Sequence, residues 1–337
     1  MKNQRIVLAS RPAGDAEAAN FRLEEVDLPA LTEGQVLVRQ QFLSLDPYMR
    51  GRMNDSKSYA VPQAIDAVMG GGTVGEVVES KHAGFKNGDA VVGMGGWQTH
   101  AIIDAGTPGA LRKVATERVP LSAYLGAVGM PGVTAWYGLN RVIQPKSGGT
   151  VVVDAASGAV GSVVGQLAKA HGCRVVGLAG GPDKCGYVVD ELGFDACIDY
   201  KAHRGFDSLA EALDKAAPDG VDGLFENVGG LIFNAVLSRM NAFGRIALCG
   251  LISGYDGEPT PIDNPRLFLT QRLMLQGFIV SEHMEVWPEA LQDLGQRVAS
   301  GKLKFRESIA EGLPAAPEAF LGLLKGRNFG KQLVKLS

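Results

Sequence analysis

The stretch from residue 150 to residue 169 constrains the fold most. It begins with Thr150 and three valines, a β-branched run that predicts a short strand buried on both faces. Small residues occupy positions 155 to 159, and the apolar-periodic run from Val160 to Ala170 predicts a helix. A strand, a small-residue turn and a helix N-terminus together make a pyrophosphate site, because backbone N–H groups and the positive end of the helix dipole point at the ligand. The stretch therefore predicts a bound dinucleotide.

The glycine pattern of this turn departs from the usual one. Ala156 stands where G-x-G-x-x-G has its first glycine, which leaves Gly158 and Gly161 in the other two places. Glycines alone indicate little, since the chain has 45 of them. The strand before the turn and the helix after it are what make the pattern informative.

Composition excludes several classes of function. The chain has 337 residues, of which 46% are hydrophobic and 20% charged, and its net charge is −3. That balance gives no electrostatic reason to expect nucleic acid or a membrane as a partner, and no apolar run is long enough to span a bilayer. No signal peptide is expected. The four cysteines have no C-x-x-C spacing, which predicts neither a zinc ribbon nor a disulfide framework and favours the cytoplasm; they are Cys173, Cys185, Cys197 and Cys249.

The order of elements predicts an α/β protein with a second, β-rich region. Residues 1 to about 125 contain short strands separated by Gly and Pro, among them 35–43, 72–80 and 90–93, which suggests a partly open barrel. From Leu121 the chain is helix-like, with a break at Met130-Pro131-Gly132. Strand and helix then alternate, as in a doubly wound parallel sheet. The predicted strands are 151–153, 173–179, 196–199, 221–228, 244–250 and 273–280; a last strand, 332–336, ends the chain.

The dinucleotide is predicted to be NADP(H). An NAD site needs an acidic residue at the end of the second strand, but here that strand ends in Ala179, Gly180 and Gly181. Lys184 follows at a helix N-terminus, where a phosphate is also favoured, although it could instead be an ordinary solvated residue. The lack of an acidic residue at the strand end and the presence of Lys184 favour NADP(H), which carries a 2′-phosphate.

The whole chain resembles the zinc-independent branch of the medium-chain dehydrogenases/reductases that includes leukotriene B4 dehydrogenase (prostaglandin reductase), plant double-bond reductases and curcumin reductase. The resemblance rests on five segments: 45–53, 130–135, 155–165, 225–230 and 328–331. It implies a Rossmann domain, residues 126–302, and a GroES-like catalytic domain formed by residues 1–125 and 303–337.

The resemblance also implies a set of cofactor-binding residues. It assigns the pyrophosphate to Gly158, Ala159, Val160 and Gly161, and the 2′-phosphate to Lys184 and Tyr200. The nicotinamide side would be completed by Asn227, by the loop after the fifth strand and by two further segments. These are Cys249, Gly250, Leu251, Ile252, Ser253 and Tyr255 in the loop, then Phe278, Ile279, Val280 and Asn328. The alternative to a cofactor-binding role for residues 278–280 is that they form a buried or subunit-pairing strand.

Metal catalysis is not expected. The related zinc enzymes use an early cysteine ligand, whereas this chain has no cysteine before Cys173 and has Asp46 and Pro47 in that region. His82 and His100 remain, but two distant histidines without a thiolate are a poor zinc site. Simple alcohol oxidation, which needs a Lewis acid, is therefore also not expected.

Hydride transfer to the β-carbon of an α,β-unsaturated ketone or aldehyde fits such a site, because the protein then has only to orient the reactants and stabilise an enolate oxygen. Tyr255 is the first candidate for that hydrogen-bond donor, Tyr48 the second and Tyr59 a distant third; Tyr48 could instead be structural. An NADPH quinone oxidoreductase and a non-catalytic dinucleotide-binding protein are the alternatives. The apolar strand 273–280 suggests a homodimer by edge pairing.

Overall fold

The computed structural model describes residues 1–337, which form two compact units. The first unit consists of Met1–Leu125 and Glu307–Ser337, and the second unit of Gly126–Arg306. The assignment of a catalytic and a cofactor-binding role to such units stays a prediction. No helix of the chain has the length and apolar character that crossing a membrane requires.

The chain forms strands throughout and helices mainly in the second unit. The strands are β1 (Lys2–Leu8), β2 (Phe21–Asp27), β3 (Gln35–Ser44), β4 (Thr73–Ser80), β5 (Ala90–Gly93), β6 (His100–Asp104), β7 (Leu111–Lys113), β8 (Thr150–Val153), β9 (Arg174–Ala179), β10 (Ala196–Asp199), β11 (Val221–Glu226), β12 (Met240–Leu248), β13 (Met274–Gly277), β14 (Glu307–Glu311) and β15 (Lys331–Lys335). The α-helices are α1 (Tyr48–Arg52), α2 (Met130–Tyr137), α3 (Gly161–Ala170), α4 (Pro182–Gly186), α5 (Phe206–Ala216), α6 (Gly230–Leu237), α7 (Arg266–Thr270), α8 (Trp287–Ala299) and α9 (Ala316–Leu324).

The first unit is built on a seven-stranded sheet in the order β14-β15-β3-β4-β5-β7, with β6 paired to β3. All of these pairs are antiparallel except β14 with β15. The ladder between β3 and β4 shifts register where Gly75 lies against Gln40; a Cβ at Gly75 would come within 2.1 Å of the Arg39 carbonyl oxygen. This glycine therefore permits a close backbone approach inside the sheet.

Residues from both chain ends share the core of the first unit. The rings of Phe21 and Trp97 stack with centroids 5.4 Å apart, and Phe320 of α9 packs edge-on against Trp97 at 5.6 Å. Lys331 of β15 is also buried, and its Nζ donates to Asp46 Oδ1 at 2.7 Å. Apolar burial and a buried ion pair thus both tie the C-terminal segment to the N-terminal one.

The second unit contains an all-parallel six-stranded sheet in the order β10-β9-β8-β11-β12-β13. Numbered within this unit, the order is 3-2-1-4-5-6, the arrangement of Rossmann sheets. All four residues of β8 are buried, as expected for a central strand covered by helices on both faces. The predicted α/β class and the predicted parallel sheet are therefore confirmed.

The structure corrects two details of the predicted elements. The sixth strand is shorter than residues 273–280, because β13 ends at Gly277 and Phe278 turns into the core, where its ring packs against Tyr137 at 5.2 Å. The Met130-Pro131-Gly132 segment does not break a helix. It begins α2, where a proline is well accommodated because the first-turn N–H has no partner in the helix.

Candidate cofactor and active site

The turn between β8 and α3 brings backbone atoms very close together. Ala155 has the left-handed dihedral φ of 43°, and its carbonyl oxygen lies 3.0 Å from the Cβ position of Gly158 and 2.6 Å from that of Gly161. No larger residue at 161 fits without a shift of the turn. Val160, the N-cap of α3, makes no side-chain capping bond. No side chain therefore covers this helix end, which fits an anionic ligand there, while the N–H groups of Gly158 and Ser162 donate to the carbonyl oxygens of Ala155 and Gly158.

Ala156, the departure from the glycine pattern, is explained by the neighbouring strand. It is fully buried, and a Cβ at Gly177 of β9 would lie 2.9 Å from the Ala156 methyl group. In a G-x-G-x-x-G turn the first glycine leaves room for the neighbouring strand; here the missing side chain of Gly177 on β9 leaves that room instead. The methyl group of Ala156 fits because residue 177 has no side chain.

Two lysines and a tyrosine surround the end of β9. A Cβ at Gly180 would lie 2.9 Å from the Tyr200 hydroxyl oxygen and 2.8 Å from Lys201 Cε, so both side chains pass over this glycine. Lys184 of α4 follows Gly181 by three residues, and burial, then the positive charge of Lys201, lower the pKa of its amine. We call Lys184 and Lys201 the lysine pair. Its repulsion would be relieved by a bound anion such as a phosphate.

Asp199 holds the backbone of this region in place. Its Oδ1 accepts hydrogen bonds from the backbone N–H of Gly181, 2.8 Å away, and of Lys201, 3.0 Å away. One carboxylate thereby joins the ends of β9 and β10. Lys201 was not among the predicted binding residues. Its position directly after Tyr200 in the sequence could have identified it as a candidate.

The ends of β8 and β11 carry a pair of buried carboxyl groups, Asp154 and Glu226, which we call the carboxyl pair. Asp154 Oδ1 accepts from the backbone N–H of Asn227 at 2.8 Å and from its side-chain Nδ2 at 2.9 Å. Glu226 Oε1 accepts from the backbone N–H of Val228 at 2.8 Å and also from that of Gly229. Asn227, a predicted cofactor residue, is therefore oriented by Asp154.

The carboxyl pair is unusual in its electrostatics. Both residues are 0% exposed, and no N–H group donates to Glu226 Oε2; its hydrogen-bond partner is the carboxyl group of Asp154. Burial first, and then the charge of Glu226, raise the pKa of Asp154, while burial raises the pKa of Glu226. Burial and the same two carboxyl groups raise the pKa of the neighbouring Cys249 to about 12, which keeps this thiol protonated at neutral pH. Sequence analysis missed the carboxyl pair.

The loop that follows β12, residues 249–255, is fastened to the end of β11. The backbone N–H groups of Cys249 and Gly250 both donate to the Glu226 carbonyl oxygen, at 2.9 and 3.2 Å. The N–H of Ile252 donates to Asn227 O at 3.1 Å, and that of Ser253 to Val228 O at 3.0 Å. Leu251, between them, is the N-cap of a short 3-10 turn. The predicted loop residues and Asn227 are thus held together at the carboxyl end of the sheet.

Tyr255 lies at the end of this loop, and its side chain folds back over it. A Cβ at Gly250 would be 3.3 Å from the Tyr255 hydroxyl oxygen and 3.4 Å from the Asn227 carbonyl oxygen. The phenol is therefore close to both strand ends, where open parallel sheets bind their ligands.

Residues 278–280 follow β13 and mainly serve packing. The side chains of Phe278 and Val280 are buried, and Phe278 packs edge-on against Phe225 with centroids 6.3 Å apart. The carbonyl oxygen of Val280 accepts from Trp287 Nε1 at 3.1 Å. Ile279, which lies between them, has an extended backbone.

Two predicted site residues belong to the first unit. Tyr48 begins α1, and burial raises the pKa of its phenol well above the ordinary range; the Arg52 guanidinium lies 5.0 Å from its ring centroid. Asn328 precedes β15 and its Nδ2 donates to the Gly330 carbonyl oxygen at 2.7 Å. Asp46, beside Pro47, accepts from Lys331. Tyr59 is exposed.

The two histidines weighed as metal ligands make local contacts. His82 Nδ1 accepts from the backbone N–H of Gly84 at 3.0 Å, and His100 lies 3.2 Å from the Thr99 hydroxyl oxygen. No group of three or more His, Cys, Asp or Glu side chains comes together in the chain as a metal site.

Comparison with known proteins is consistent with this fold. The chain matches a family described as "N-terminal domain of oxidoreductase" over residues 4–111 and one described as "Zinc-binding dehydrogenase" over residues 159–296. NADPH-dependent curcumin reductase of Escherichia coli (strain K12) is 47% identical over 100% of this chain and 97% of that protein. The 2-alkenal reductase (NADP(+)-dependent) of Nicotiana tabacum is 40% identical over 100% of this chain and 98% of that protein.

A solved structure agrees over the same length. CurA from Vibrio vulnificus in complex with NADPH is 47% identical, covers 99% of each chain and has a TM-score of 0.91. The chain therefore belongs to the medium-chain dehydrogenase/reductase family, in the branch of leukotriene B4 dehydrogenase, prostaglandin reductase and curcumin reductase. Its fold is a Rossmann domain with a GroES-like domain, as the resemblance implied.

Proposed function

We propose that this protein is an NADPH-dependent reductase of the carbon–carbon double bond of α,β-unsaturated ketones and aldehydes. The observation that carries the cofactor assignment is the lysine pair with Tyr200 around Gly180, at the strand end where an NAD site has a carboxylate. Relatives named for NADPH-dependent reduction of curcumin and of 2-alkenals, at 47% and 40% identity, support the same reaction class.

The residues at the carboxyl end of the sheet fit NADPH along its length. The uncapped start of α3, from Gly158 to Gly161, would receive the pyrophosphate through backbone N–H groups. Lys184, Lys201 and Tyr200 would receive the 2′-phosphate. Asn227 and the loop 249–255 lie where the nicotinamide end is expected, and residues 278–280 would contribute backbone rather than side chains.

In this proposal NADPH, when bound, supplies the hydride that is added to the β-carbon. The chain has two tasks: to hold the substrate in line for that addition and to stabilise the negative charge that develops on the carbonyl oxygen. A hydrogen-bond donor placed at that oxygen acts mainly in the transition state, which is why it raises the rate rather than affinity alone. A proton from water or a ribose hydroxyl then completes the reaction at the α-carbon.

Tyr255 is our first candidate for the donor to the enolate oxygen. Its hydroxyl lies beside Gly250 and the Asn227 carbonyl, at the edge of the sheet where the reaction is expected. Tyr48 is the second candidate, because its phenol is protonated at neutral pH and able to donate; burial raises its pKa further. Asn328, in the same unit as Tyr48, stays a predicted cofactor residue.

The cofactor assignment is tested by comparing NADPH with NADH. For Lys184→Ala and Lys201→Ala we expect NADPH binding to weaken roughly 10- to 100-fold, the loss of one charge-assisted hydrogen bond, while the Kd for NADH changes little. Lys215→Ala is the matched control, since Lys215 is exposed and pairs with Glu211 on α5. Equal losses for both cofactors would remove the lysine pair from the 2′-phosphate.

The reaction class is tested by substrate. NADPH oxidation is followed with an enone or enal and separately with a benzoquinone, and the product is identified by NMR as the saturated carbonyl compound. Turnover of the quinone alone would establish a quinone oxidoreductase instead. Binding of NADPH without turnover of either substrate would indicate a non-catalytic dinucleotide-binding protein.

We further propose that the reaction needs no zinc. Asp46, in the region where related zinc enzymes place their first ligand, is buried in an ion pair with Lys331 and is therefore occupied by a cation of the chain itself. Dialysis against a chelator should leave turnover unchanged, and metal analysis should find no stoichiometric zinc. Loss of turnover that returns on adding Zn²⁺ would refute this part.

We also propose a cytoplasmic homodimer. The support for the dimer is that β13 is an edge strand of the six-stranded sheet, with one side of its backbone available for pairing. Sedimentation velocity at micromolar concentration should give the mass of two chains. A single-chain mass would contradict the edge pairing.

A further inference from the structure

Two of the four cysteines are in direct contact. Cys185 of α4 and Cys197 of β10 have their Sγ atoms 3.1 Å apart, with the Cys197 thiol donating to Cys185. We call them the thiol pair. Both are partly exposed, whereas Cys173 is buried. A small oxidant can therefore reach the thiol pair from solvent.

The two sulfur atoms differ in reactivity. Burial raises the pKa of Cys185, but the hydrogen bond from Cys197 opposes that effect. Burial and its neighbour Cys185 both raise the pKa of Cys197. Both pKa values are raised, so both thiols are largely protonated at neutral pH. Because the thiolate is the nucleophile, we expect Cys185 to react first and Cys197, 3.1 Å away, to react with the product.

The thiol pair adjoins the candidate 2′-phosphate site. Cys185 directly follows Lys184 in α4, and Cys197 lies two residues before Asp199, whose carboxylate holds the backbone of Gly181 and Lys201. Cys197 Sγ is 3.3 Å from the Cβ position of Gly177, so it lies over the strand that leads to Gly180. Any movement of α4 against β10 must therefore move Lys184 relative to Lys201.

We propose that Cys185 and Cys197 are a modification site, at which a reversible disulfide weakens the binding of NADPH; the effect on NADPH rests on the function proposed above. A disulfide has its sulfur atoms about 2.05 Å apart, so bond formation draws the two sulfur atoms together by about 1 Å. That contraction pulls α4 towards β10. Because Lys184 directly precedes Cys185 in α4, we expect this movement to change its distance from Lys201.

Hydrogen peroxide is the oxidant class proposed. The Cys185 thiolate attacks one peroxide oxygen, the O–O bond breaks, and a sulfenic acid and one water are formed after protonation. The Cys197 sulfur then attacks the Cys185 sulfur, the S–O bond breaks, its proton is lost and a second water leaves. In total two thiols lose two electrons and two protons, and one peroxide becomes two waters. A dithiol reverses the bond by exchange.

The first measurement is whether the bond forms. No lysine or arginine lies between Cys185 and Lys201, so trypsin releases both cysteines in one peptide, 185–201. After peroxide treatment and alkylation, we expect this peptide to be unalkylated and lighter by two hydrogens than the dithiol form. Cys185→Ser and Cys197→Ser should each abolish that product. An alkylated peptide after peroxide treatment would overturn the proposal.

The second measurement is the Kd for NADPH and NADH in the reduced protein, the oxidised protein and the oxidised protein treated with dithiothreitol. We expect oxidation to weaken NADPH about tenfold, with NADH nearly unchanged and full recovery after reduction. By linkage, saturating NADPH should then make the disulfide easier to reduce by about 30 mV, the equivalent of a tenfold change for two electrons.

The outcomes separate this proposal from the one it rests on. A disulfide that leaves the Kd for NADPH unchanged, or an affinity loss that persists in Cys185→Ser, overturns the inference while the reductase function stands. If the reduced protein does not bind NADPH at all, the proposed function fails, and with it the effect on NADPH. The mass of peptide 185–201 still decides whether the thiol pair is oxidised.

Discussion

The carboxyl pair of Asp154 and Glu226 provides a sharp test of how this site is stabilised. Glu226→Gln keeps one oxygen for the two backbone N–H groups that Oε1 now serves, and replaces Oε2, which contacts only the acidic Asp154, by an amide N–H that can donate to Asp154. The change removes one of two buried like charges, and a hydrogen bond to a charged group contributes about 1.5–3 kcal/mol. We therefore expect the free energy of unfolding of Glu226→Gln at neutral pH to exceed that of the parent protein by an amount of that size.

The pH dependence gives the prediction its sign. Burial raises the pKa of both carboxyl groups above their unfolded values of about 4. Well below about pH 4 both groups hold their protons in both the folded and the unfolded state. Between the unfolded and the folded pKa values, the unfolded chain releases protons that the folded pair retains. The parent protein therefore loses stability as the pH rises through that range. The amide introduced by Glu226→Gln does not titrate, and the advantage of the variant should therefore grow with pH.

Urea unfolding at a series of pH values measures this difference. The matched control is Glu211→Gln on the exposed face of α5, where Glu211 pairs with Lys215 and its pKa is lowered. The control should show a small effect of the opposite sign, a loss of stability above the unfolded pKa. A Glu226→Gln protein that is less stable than the parent, with a deficit that grows as the pH rises, would refute the reasoning, because it would mean that Glu226 is an ionised and favourable partner.

Three further outcomes follow from the geometry. Gly177→Ala should lower the unfolding free energy by about 1–3 kcal/mol, because the new methyl group meets Ala156, whereas Gly186→Ala, with nothing closer than 3.7 Å, should not; thermal denaturation compares them. Lys331→Met should cost about 3–5 kcal/mol in urea unfolding, since it leaves a buried carboxylate without its cation; an unchanged midpoint would mean that the ion pair contributes nothing. Tyr255→Phe should lower kcat about 10- to 1000-fold with near-normal NADPH binding, and unchanged turnover would remove its hydroxyl from the reaction.

Much of the second unit could be predicted from the chain alone. Parallel strands buried on both faces are apolar runs rich in β-branched residues, and β8 and most of β9 follow that rule. The rule failed after Gly277, because Phe278 and Val280 are as apolar as strand residues but pack as a loop. An apolar run indicates that its residues are buried, but it does not indicate which backbone conformation they adopt.

The sites divide along the same line. Lys184 could be identified from the sequence, because an NAD site would have an acidic residue near that position. Lys201 lies just after β10, and only the pairing of β9 with β10 brings it close to Lys184. In the same way Asp154 and Glu226 are 72 positions apart and meet because β8 and β11 lie side by side. Cys185 and Cys197 are brought together by α4 packing against β10.

The turn at residues 154–161 shows where local information ends. Its strand, its small residues and its helix are properties of the local sequence, because strand propensity, helix periodicity and the lack of bulky side chains act over a few residues. Whether Ala156 can replace a glycine depends on the volume left by Gly177, twenty-one positions later. The sequence by itself determined the strand, the small-residue turn and the helix start at which a pyrophosphate site is predicted. Only the tertiary structure decided that the alanine fits, because packing is settled between strands and not along one.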